Sequence, residues 1–466
     1  MAQAGPVSVS QAKYVGQQFV QANFEETRQS AELTLVYTGT STRGDVGYYV
    51  FNVGSDGFVI VSGDDNFRPL IAYSEEGNYD LNNPTSAYYL NAIAEYRSSI
   101  NNVIDPLVPV EWESVRNTGR LISRNGGRSV PYLVQTKWDQ TPGPYNSMCP
   151  ADSQSPNAGY HAYTGCVATA MSQIMKYWNY PAQGQGSNSY IHPKYGLISA
   201  NFGNTTYDWD NMLNSYSSGN YTPEQGNAVA TICFHCGVAV NMDYGGEVEE
   251  GSGANTANVP AAISNYFRYS STAYVVNKPS ALSAWENQLK EQLDLGWPVL
   301  YSGTEANAPY GHAFICDGYN DDNMFHINWG WGGSNNNYFL IEDIEYSTNV
   351  RGVLNFVPSD VYNNTAQAPI NFTVTPNPDN ALSATLSWRN PSKNLSNVNL
   401  TSIDRIIVTR DGEVVYTADN VTPGADMTAV DNSVPRYDAF NYCVYAVVNG
   451  AHGKVAYKNR VCFGPT

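Results

Sequence analysis

Two residues that lie far apart in the chain have the chemistry of a nucleophile and its base. Cys166 can supply a thiolate, and His312, which follows 146 residues later, can supply an imidazole. The imidazole would take the thiol proton and later return it to a leaving amine, as cleavage of a peptide bond requires. A cysteine alone is more often a small buried residue, so its pairing with His312 is what indicates catalysis.

The stretch that begins at Cys166 is predicted to be a helix over 166–178. Its apolar residues recur at three- and four-residue steps and define one buried face. They are Val167, Ala170, Met171, Ile174, Met175 and Trp178. Thr164 is expected to cap the start of this helix, and Pro181 to stop the chain soon after its end. Cys166 then lies in the first turn, where unpaired N–H groups and the helix dipole favour an anion.

His312 lies in a strand predicted over 311–319, and a hairpin turn brings the chain back beside it. If the turn holds an even number of residues, Trp329 and Trp331 share the face of His312, whereas an odd number brings Asn328 to that face. One of these residues must orient and shield the imidazole. The sequence leaves both alternatives open.

The composition excludes several function classes and suggests an exported protein. Acidic residues exceed basic ones by 42 to 24, which argues against a nucleic-acid or anionic-membrane partner. No apolar run approaches the roughly 18 residues that a membrane span needs. Only 14% of the residues are charged and Tyr and Gly are abundant, which suits a secreted or cell-surface bacterial protein. The opening residues 1–5 resemble neither part of a signal peptide, so we expect a mature chain in which an initiator Met replaces that peptide.

The cysteines leave specific alternatives. There are seven, an odd number, so at least one should be a free thiol. Cys233 and Cys236 have the spacing of a zinc or redox site, but no second ligand pair and no thioredoxin-like strand accompany them. We therefore expect buried helix thiols there, and neither a metal nor a cofactor. Cys443 and Cys462 face each other if a hairpin turns between them, so a disulfide and two buried thiols both remain open.

The pattern along the chain predicts three units. Residues 1–124 mix helices and short strands, and residues 125–357 have helices first and strands afterwards, the order of an α+β domain. Residues 358–466 hold short, evenly spaced strands, typical of an all-β sandwich of the immunoglobulin or fibronectin type. The Gly- and Arg-rich segment 117–129 is predicted to be an exposed linker open to proteolysis.

Elements are predicted in each unit from periodicity and turn residues. The predicted helices are 8–23, 86–102, 166–178, 223–237 and 280–294. The predicted strands are 33–37, 48–53, 58–61, 298–303, 311–319, 324–329, 337–342, 370–374, 384–388, 403–409, 413–416, 442–448 and 454–462.

Several short segments together carry a family resemblance over about residues 10–357. They are Thr164–Ala170, Ile174–Tyr177, Gly311–Phe314, Asn328–Gly333, Val240–Gly245 and Phe58–Ser62. The order of cysteine and then histidine, at roughly 130–150 residues, is that of papain-like proteases. In combination these segments resemble the streptopain family of secreted bacterial cysteine peptidases.

The resemblance implies a papain-like catalytic domain over 125–357, preceded by an inhibitory propeptide over 1–124 in a latent zymogen. Cys166 and His312 would be the catalytic dyad, and Trp329 would support the histidine. Gln140 would complete the oxyanion hole with the Cys166 N–H, a role that suits an amide donor because it does not titrate.

The implied substrates are proteins or peptides, and the propeptide is the implied inhibitor. Gly311 is expected to leave room for a substrate backbone beside the base. Ser252 is implied as a substrate-binding residue, although its loop, 246–253, departs from the family pattern by being rich in Glu. The β-sandwich beyond Val357 is not part of the minimal streptopain architecture.

Two other function classes compete with an endopeptidase. A catalytically inactive relative could act as a surface binding or adhesion protein, but Cys166, His312 and Gln140 are all intact. A transglutaminase-like acyl transferase would need a carboxylate behind the base, and Asp317 has the wrong strand parity for that role. The remaining candidate bases, His161 and His326, are expected to be structural.

Overall fold

The computed structural model describes residues 5–25, 30–83, 93–95, 97–98, 105–125, 128–141, 143–304, 311–341, 348–378 and 381–464. The helix predicted over 86–102 lies largely outside these residues. No helix in the described part of the chain is both long enough and apolar enough to cross a membrane.

The described elements confirm the predicted α+β class with an all-β C-terminal unit. The α-helices are α1 (Val9–Asn23), α2 (Val108–Thr118), α3 (Cys166–Trp178), α4 (Pro223–Ala239), α5 (Val259–Phe267), α6 (Leu282–Leu293) and α7 (Ser359–Asn364). The first strands are β1 (Leu33–Thr40), β2 (Val46–Val53), β3 (Phe58–Ser62), β4 (Leu70–Ser74), β5 (Asn188–His192), β6 (Gly196–Ala200), β7 (Tyr274–Asn277), β8 (Val299–Thr304), β9 (Gly311–Tyr319), β10 (Phe325–Asn328), β11 (Asn337–Phe339) and β12 (Thr348–Leu354). The C-terminal strands are β13 (Ile370–Pro376), β14 (Ala384–Arg389), β15 (Ile403–Arg410), β16 (Glu413–Val421), β17 (Asp426–Asp431), β18 (Ala439–Val448), β19 (Ala451–His452) and β20 (Ala456–Cys462).

One antiparallel sheet joins the N-terminal strands to the strands that carry His312. Its order is β1-β2-β3-β4-β11-β10-β9-β8-β12-β7. The junction lies between β4 and β11, where Tyr73 pairs with Tyr338 and Ala72 pairs with Phe339. The sequence predicts seven of these ten strands, all but β4, β7 and β12. It does not predict the shared sheet, because pairing between distant segments leaves no local signal.

Apolar packing reinforces the junction between the first two units. Helix α1 begins with a capping box in which Ser8 and Gln11 satisfy each other's backbone N–H groups. Its buried face packs on the N-terminal strands in a core that also contains Met324 and Leu340, which lie beyond residue 125. Both of these side chains are fully buried, at 0% and 1% exposure.

The segment 117–129 is only in part the exposed linker that its composition predicts. Its exposed residues are Asn117, Thr118, Arg120, Ser123 and Ser129. Arg124, in contrast, forms ion pairs with Glu111 and Asp105, and its side chain is only 16% exposed. The backbone N–H groups of Arg124 and Asn125 both donate to the carbonyl of Asp321, at 3.0 and 3.1 Å. The prediction fails at Arg124 because a basic residue that is solvated in an isolated segment here has carboxylate partners.

Arg128 ties the same segment to the C-terminal unit. Its guanidinium pairs with Asp294, which follows α6, and lies 3.7 Å above the ring of Tyr457 in β20. The Tyr457 hydroxyl donates to the same Asp294 carboxylate at 2.7 Å. The segment between the first two units therefore also contacts the third.

The third unit is the predicted β-sandwich. One sheet has the order β13-β14-β17, and the other has the order β16-β15-β18, with β19 and β20 both paired to β18. A separate core lies between them, and its large members include Trp388, Ile406 and Tyr442.

The alternative of a disulfide between Cys443 and Cys462 is excluded by the strand register. Cys443 pairs with Tyr457, and Cys462 pairs with Ala439 at the far end of β20. The alternative of two buried thiols is also incorrect, because Cys462 is exposed. All seven cysteines are free thiols, and Cys233 and Cys236 are buried on α4 as expected.

We predict that the sandwich folds on its own, because its core is built from its own strands. Residues 365–466, expressed alone, should give a β-type circular dichroism spectrum and a single cooperative thermal transition. A fragment that melts without a transition would show that α7 and its contacts with the second unit are needed for folding.

Candidate active site

Cys166 is the first residue of α3, as the sequence predicts, but the residue before it shapes this end of the helix. Gly165 is the N-cap, with a φ of 87°, and no side chain caps the helix. A side chain at Gly165 would lie 2.7 Å from the thioether of Met242, so only glycine fits there. Thr164 is therefore not the cap. Its N–H and Oγ1 instead donate to the carbonyl of Gln140, at 3.2 and 3.1 Å.

His312 is the second residue of β9 and is buried, with 9% exposure. Its Nε2 lies 2.8 Å from the carbonyl oxygen of Trp329. A carbonyl oxygen can only accept, so Nε2 carries the proton in this bond. In a neutral imidazole this leaves Nδ1 without a proton, and Nδ1 is the atom that can act as the base.

The hairpin that carries His312 resolves the question of parity in an unexpected way. Five residues separate β9 from β10, an odd number, which by itself would bring Asn328 to the face of His312. A β-bulge between His326 and Ile327 shifts the register by one residue, so Trp329 and Trp331 share that face instead.

The two tryptophans and Asn328 accordingly have different surroundings. The Trp331 ring is stacked on the imidazole of His312, with centroids 5.4 Å apart and planes at 12°. The Trp329 ring is buried against Phe314. Asn328 faces away from the imidazole, and its amide donates to the carbonyl of Thr136 at 2.7 Å.

Gln140 is buried beside the N-terminus of α3, with 4% exposure. Its carbonyl accepts the two hydrogen bonds from Thr164, two residues before Cys166. Its backbone N–H donates to the carboxylate of Asp139 at 2.6 Å. Among the described residues, its side-chain amide has no hydrogen-bond partner.

The thiol and the imidazole are both neutral at pH 7 in this arrangement. Burial raises the pKa of Cys166, although backbone N–H groups of Ala313, Val167 and Cys166 itself oppose that shift. Burial lowers the pKa of His312 to about 4, against the opposing effect of the Trp329 carbonyl. Within the described chain no hydrogen bond joins the Cys166 thiol to His312.

Two family models match the chain. The Peptidase C10 family model matches residues 138–339, and the Spi protease inhibitor model matches residues 4–99. Streptopain of Streptococcus pyogenes is 31% identical over 323 residues, which cover 64% of this chain and 75% of streptopain. The chain belongs to the streptopain family.

A solved structure and a longer relative agree with this assignment. Prointerpain A of Prevotella intermedia, in a fragment with a cysteine replaced by alanine, has a TM-score of 0.57 and 32% identity and covers 70% of this chain and 98% of that fragment. The thiol protease/hemagglutinin PrtT of Porphyromonas gingivalis is 32% identical over 357 residues. These residues are 73% of this chain but only 39% of PrtT, so the chain spans about two fifths of that relative. The papain-like fold, the inhibitor-type propeptide and the class of cysteine endopeptidase are thereby confirmed.

The two other candidate residues of this streptopain-family chain are Gly311, at the start of β9, and Ser252, at the end of the Glu-rich loop. A Cβ on Gly311 would lie 2.6 Å from the carbonyl oxygen of Gly303, so the pairing of β8 with β9 itself requires glycine there. The Ser252 hydroxyl donates to the carbonyl of Tyr163 at 2.7 Å and accepts from the N–H of Gly245 at 2.9 Å. It therefore connects the Glu-rich loop to the segment before Cys166.

Neither of the two other candidate bases, His326 and His161, is in contact with the Cys166 thiol. His326 bonds to the buried carboxylate of Asp317 at 2.6 Å and stacks on Tyr132. His161 bonds through Nδ1 to the carbonyl of Cys149. Both have structural partners, as the sequence predicts.

Sequence reasoning missed the residues that hold the loop after β10. Trp329 donates from its backbone N–H to Asn336 and from its indole to the carbonyl of Asn335, at 2.9 and 3.1 Å. The Asn335 side chain in turn forms two hydrogen bonds with the backbone of Asp80, which belongs to the inhibitor-type unit. The run of asparagines at 335–337 was the available signal, but it indicates only a turn.

We predict that Cys166 in the uncut chain reacts slowly with iodoacetamide at pH 7. Since burial raises the pKa of its thiol, the thiolate is scarce there and should accumulate only as the pH rises into the alkaline range. Site-resolved mass spectrometry should find the rate at pH 7 at least about tenfold below that of the activated enzyme. Cys462, which is exposed in the same chain, serves as the internal control. Equal rates for Cys166 before and after activation would contradict the neutral pair.

Proposed function

We propose that this cysteine endopeptidase of the streptopain family is held latent by residues 1–124 and acts through Cys166 and His312 in a catalytic domain over 125–357. The observation that carries the proposal is the bond from His312 Nε2 to the Trp329 carbonyl. It commits one nitrogen to the protein and leaves Nδ1 as a base, on a strand whose next residue, Ala313, adjoins the thiol.

The chemistry follows from these groups once Nδ1 reaches the thiol. Nδ1 takes the proton from Cys166, and the thiolate attacks the carbonyl carbon of the scissile peptide bond. The oxyanion forms within reach of the Cys166 N–H and the Gln140 amide, which has no other partner in the described chain. His312 then gives its proton to the leaving amine, and a water activated by the same Nδ1 releases the acyl group.

The supporting residues have separable roles in this proposal. Trp329 fixes the tautomer of His312, and Trp331 shields the ring from water. Asn328 supports the loop from behind, through Thr136 and Gln173. Gly311 and Ser252 border the place where a substrate backbone would lie. The missing side chain of Gly311 leaves space there, and the hydrogen bonds of the Ser252 hydroxyl hold its loop in place.

Latency is supported by the way in which the inhibitor-type unit is attached. It contributes β4 to the same sheet as β9, and its Asp80 is hydrogen-bonded to Asn335. The proposed substrates are therefore proteins or peptides, and the proposed inhibitor is the chain's own first 124 residues. The composition and the relatives support a secreted or cell-surface bacterial enzyme, with residues 358–466 as an appended sandwich.

A catalytically inactive binding or adhesion protein is the alternative. The free amide of Gln140 and the bare Nδ1 of His312 favour the enzyme, since a binding protein has no need of either.

Replacing Cys166 with Ala, or His312 with Ala, should abolish peptide hydrolysis without unfolding the protein. Alanine is small and a good helix former at the first position, and the core around α3 does not depend on the thiol. Casein digestion and thermal unfolding, measured on the same activated preparations, test this. Activity near that of the unaltered enzyme in either variant would exclude the proposed dyad.

Gln140→Ala should lower kcat by roughly ten- to a thousandfold and leave KM nearly unchanged, because the amide acts on charge that develops in the transition state. Steady-state kinetics with a chromogenic peptide measure the two constants. Gln183→Ala, at a glutamine whose amide contacts the carbonyl of Gly203, is a control for loss of a glutamine elsewhere. An unaltered kcat would remove Gln140 from the mechanism.

Activation should remove the first unit by cleavage between Leu121 and Ser129. Incubation at neutral pH under reducing conditions should release an N-terminal fragment while activity rises, because an inhibitor that is no longer tethered dissociates on dilution. The Cys166→Ala chain should stay whole. Full activity of the uncut chain, or a new N-terminus inside β3, would contradict the zymogen.

A further inference from the structure

The carboxylate of Asp139 lies between the two sides of the candidate active site. One oxygen accepts the N–H of Gln140 at 2.6 Å and, more weakly, the N–H of Thr141 at 3.4 Å. The other oxygen faces Gly332, where an added Cβ would lie only 3.1 Å from it. Gly332 follows Trp331, the residue that is stacked on the imidazole of His312.

The Asp139 carboxylate has no basic partner among the described residues. Burial raises the pKa of Asp139 to about 6, and its only opposing partners are the two backbone N–H groups. The nearby Lys137 pairs with Glu76 instead. Among the described residues Asp139 takes part in no ion pair. A charged group that is partly buried without a counter-ion is costly, which indicates that it does something the fold alone does not require.

Hydrogen bonds fix the backbone on both sides of the Gln140 side chain, and Asp139 supplies the bond before it. The peptide group before Gln140 is held by the carboxylate of Asp139. The peptide group after Gln140 is held through its carbonyl, which accepts from Thr164. Hydrogen bonds to both flanking peptide groups fix the direction in which the Gln140 side chain leaves the backbone, and so limit where its amide can lie. The Gln140 amide is thus positioned while its own N–H donors stay available for the oxyanion.

We propose that Asp139 is a positioning residue, which orients the Gln140 amide for the oxyanion formed at Cys166. The proposal rests on the role of Gln140 in the proposed function. Asp139 itself touches neither the thiol nor the substrate. The side-chain oxygen that accepts the Gln140 N–H is what matters, so an asparagine, which keeps an oxygen at the same place, should serve nearly as well.

The test compares Asp139→Ala, Asp139→Leu and Asp139→Asn in the activated enzyme. Ala and Leu remove the acceptor, and Leu also keeps roughly the side-chain volume, so at least one should fold even if the other does not. Both should lower kcat by about tenfold and change KM by less than about twofold. Asn should restore kcat to within about threefold. Thermal unfolding establishes which variants are folded.

Two further measurements separate positioning from general damage. The rate of Cys166 alkylation by an epoxide inhibitor depends on the thiolate and should be the same in all of these variants. In the Gln140→Ala background, replacing Asp139 should have almost no further effect on kcat, because its partner is already lost. Asp438→Ala is the matched control, since its carboxylate also accepts the N–H of the next residue, but in the sandwich.

The outcomes are distinguishable. Equal kcat losses from the Asp139 replacement with and without Gln140, or an alkylation rate that falls together with kcat, would overturn the positioning role. An Asp139→Asn variant as impaired as Asp139→Ala would do the same. If instead Gln140→Ala alone leaves kcat unaltered, it is the proposed oxyanion hole that fails.

Discussion

In the proposed mechanism the chemistry depends on the bond between His312 Nε2 and the Trp329 carbonyl, and a single β-bulge makes this bond available. Without the bulge, the odd hairpin loop would face Asn328 toward the imidazole and turn both tryptophans to the other side of the sheet. The bulge lies beside Asp317, whose buried carboxylate is bonded to His326 and to the backbone N–H of Val134. A structural carboxylate on one face of the sheet therefore helps to decide which atom orients the base on the other.

The same loop is where the inhibitor-type unit reaches the active site. Asp80 holds Asn335, Asn335 and Asn336 hold Trp329, and Trp329 holds His312. This chain of contacts is short and polar, so it can transmit the presence of the first unit without any segment lying in the cleft. The pairing of β4 with β11 holds the first unit next to this loop.

After the chain is cut, the first unit dissociates only as far as its remaining contacts allow. Met324 and Leu340 are buried in its core, and exposing each to water costs about 1.5–3 kcal/mol. The loss of backbone pairing at β11 adds to this. Cutting the chain removes the high effective concentration that the tether provides, but the bond from the Arg124 backbone N–H to the carbonyl of Asp321 must also break. Release is therefore a docking equilibrium as much as a proteolytic event.

The sequence predicts those parts of the site that depend on local periodicity. Helix α3 and strands β9 and β10 follow from the spacing of apolar residues, and Cys166 and His312 follow from their chemistry. The bulge, the cap at Gly165 and the partners of Arg124 could not be predicted, since each depends on a residue that is distant in the chain. Strand β17 was missed for another reason: Asp426 and Thr428 lie on its exposed face and the buried Asp431 on the other, so neither face gives a continuous apolar signal.

In the proposed mechanism, the neutral state of Cys166 and His312 favours latency without any segment in the cleft. For a thiolate and an imidazolium to form, the pKa of Cys166 must fall below that of His312, yet burial moves the two in opposite directions. Because burial raises the pKa of the thiol and lowers that of the imidazole to about 4, transfer of the proton between them is unfavourable in this arrangement. The N–H groups at the start of α3 already favour the thiolate. What is lacking is a direct hydrogen bond from the thiol to Nδ1, which would stabilise both charges at once. The first unit holds the loop whose Trp329 carbonyl positions His312.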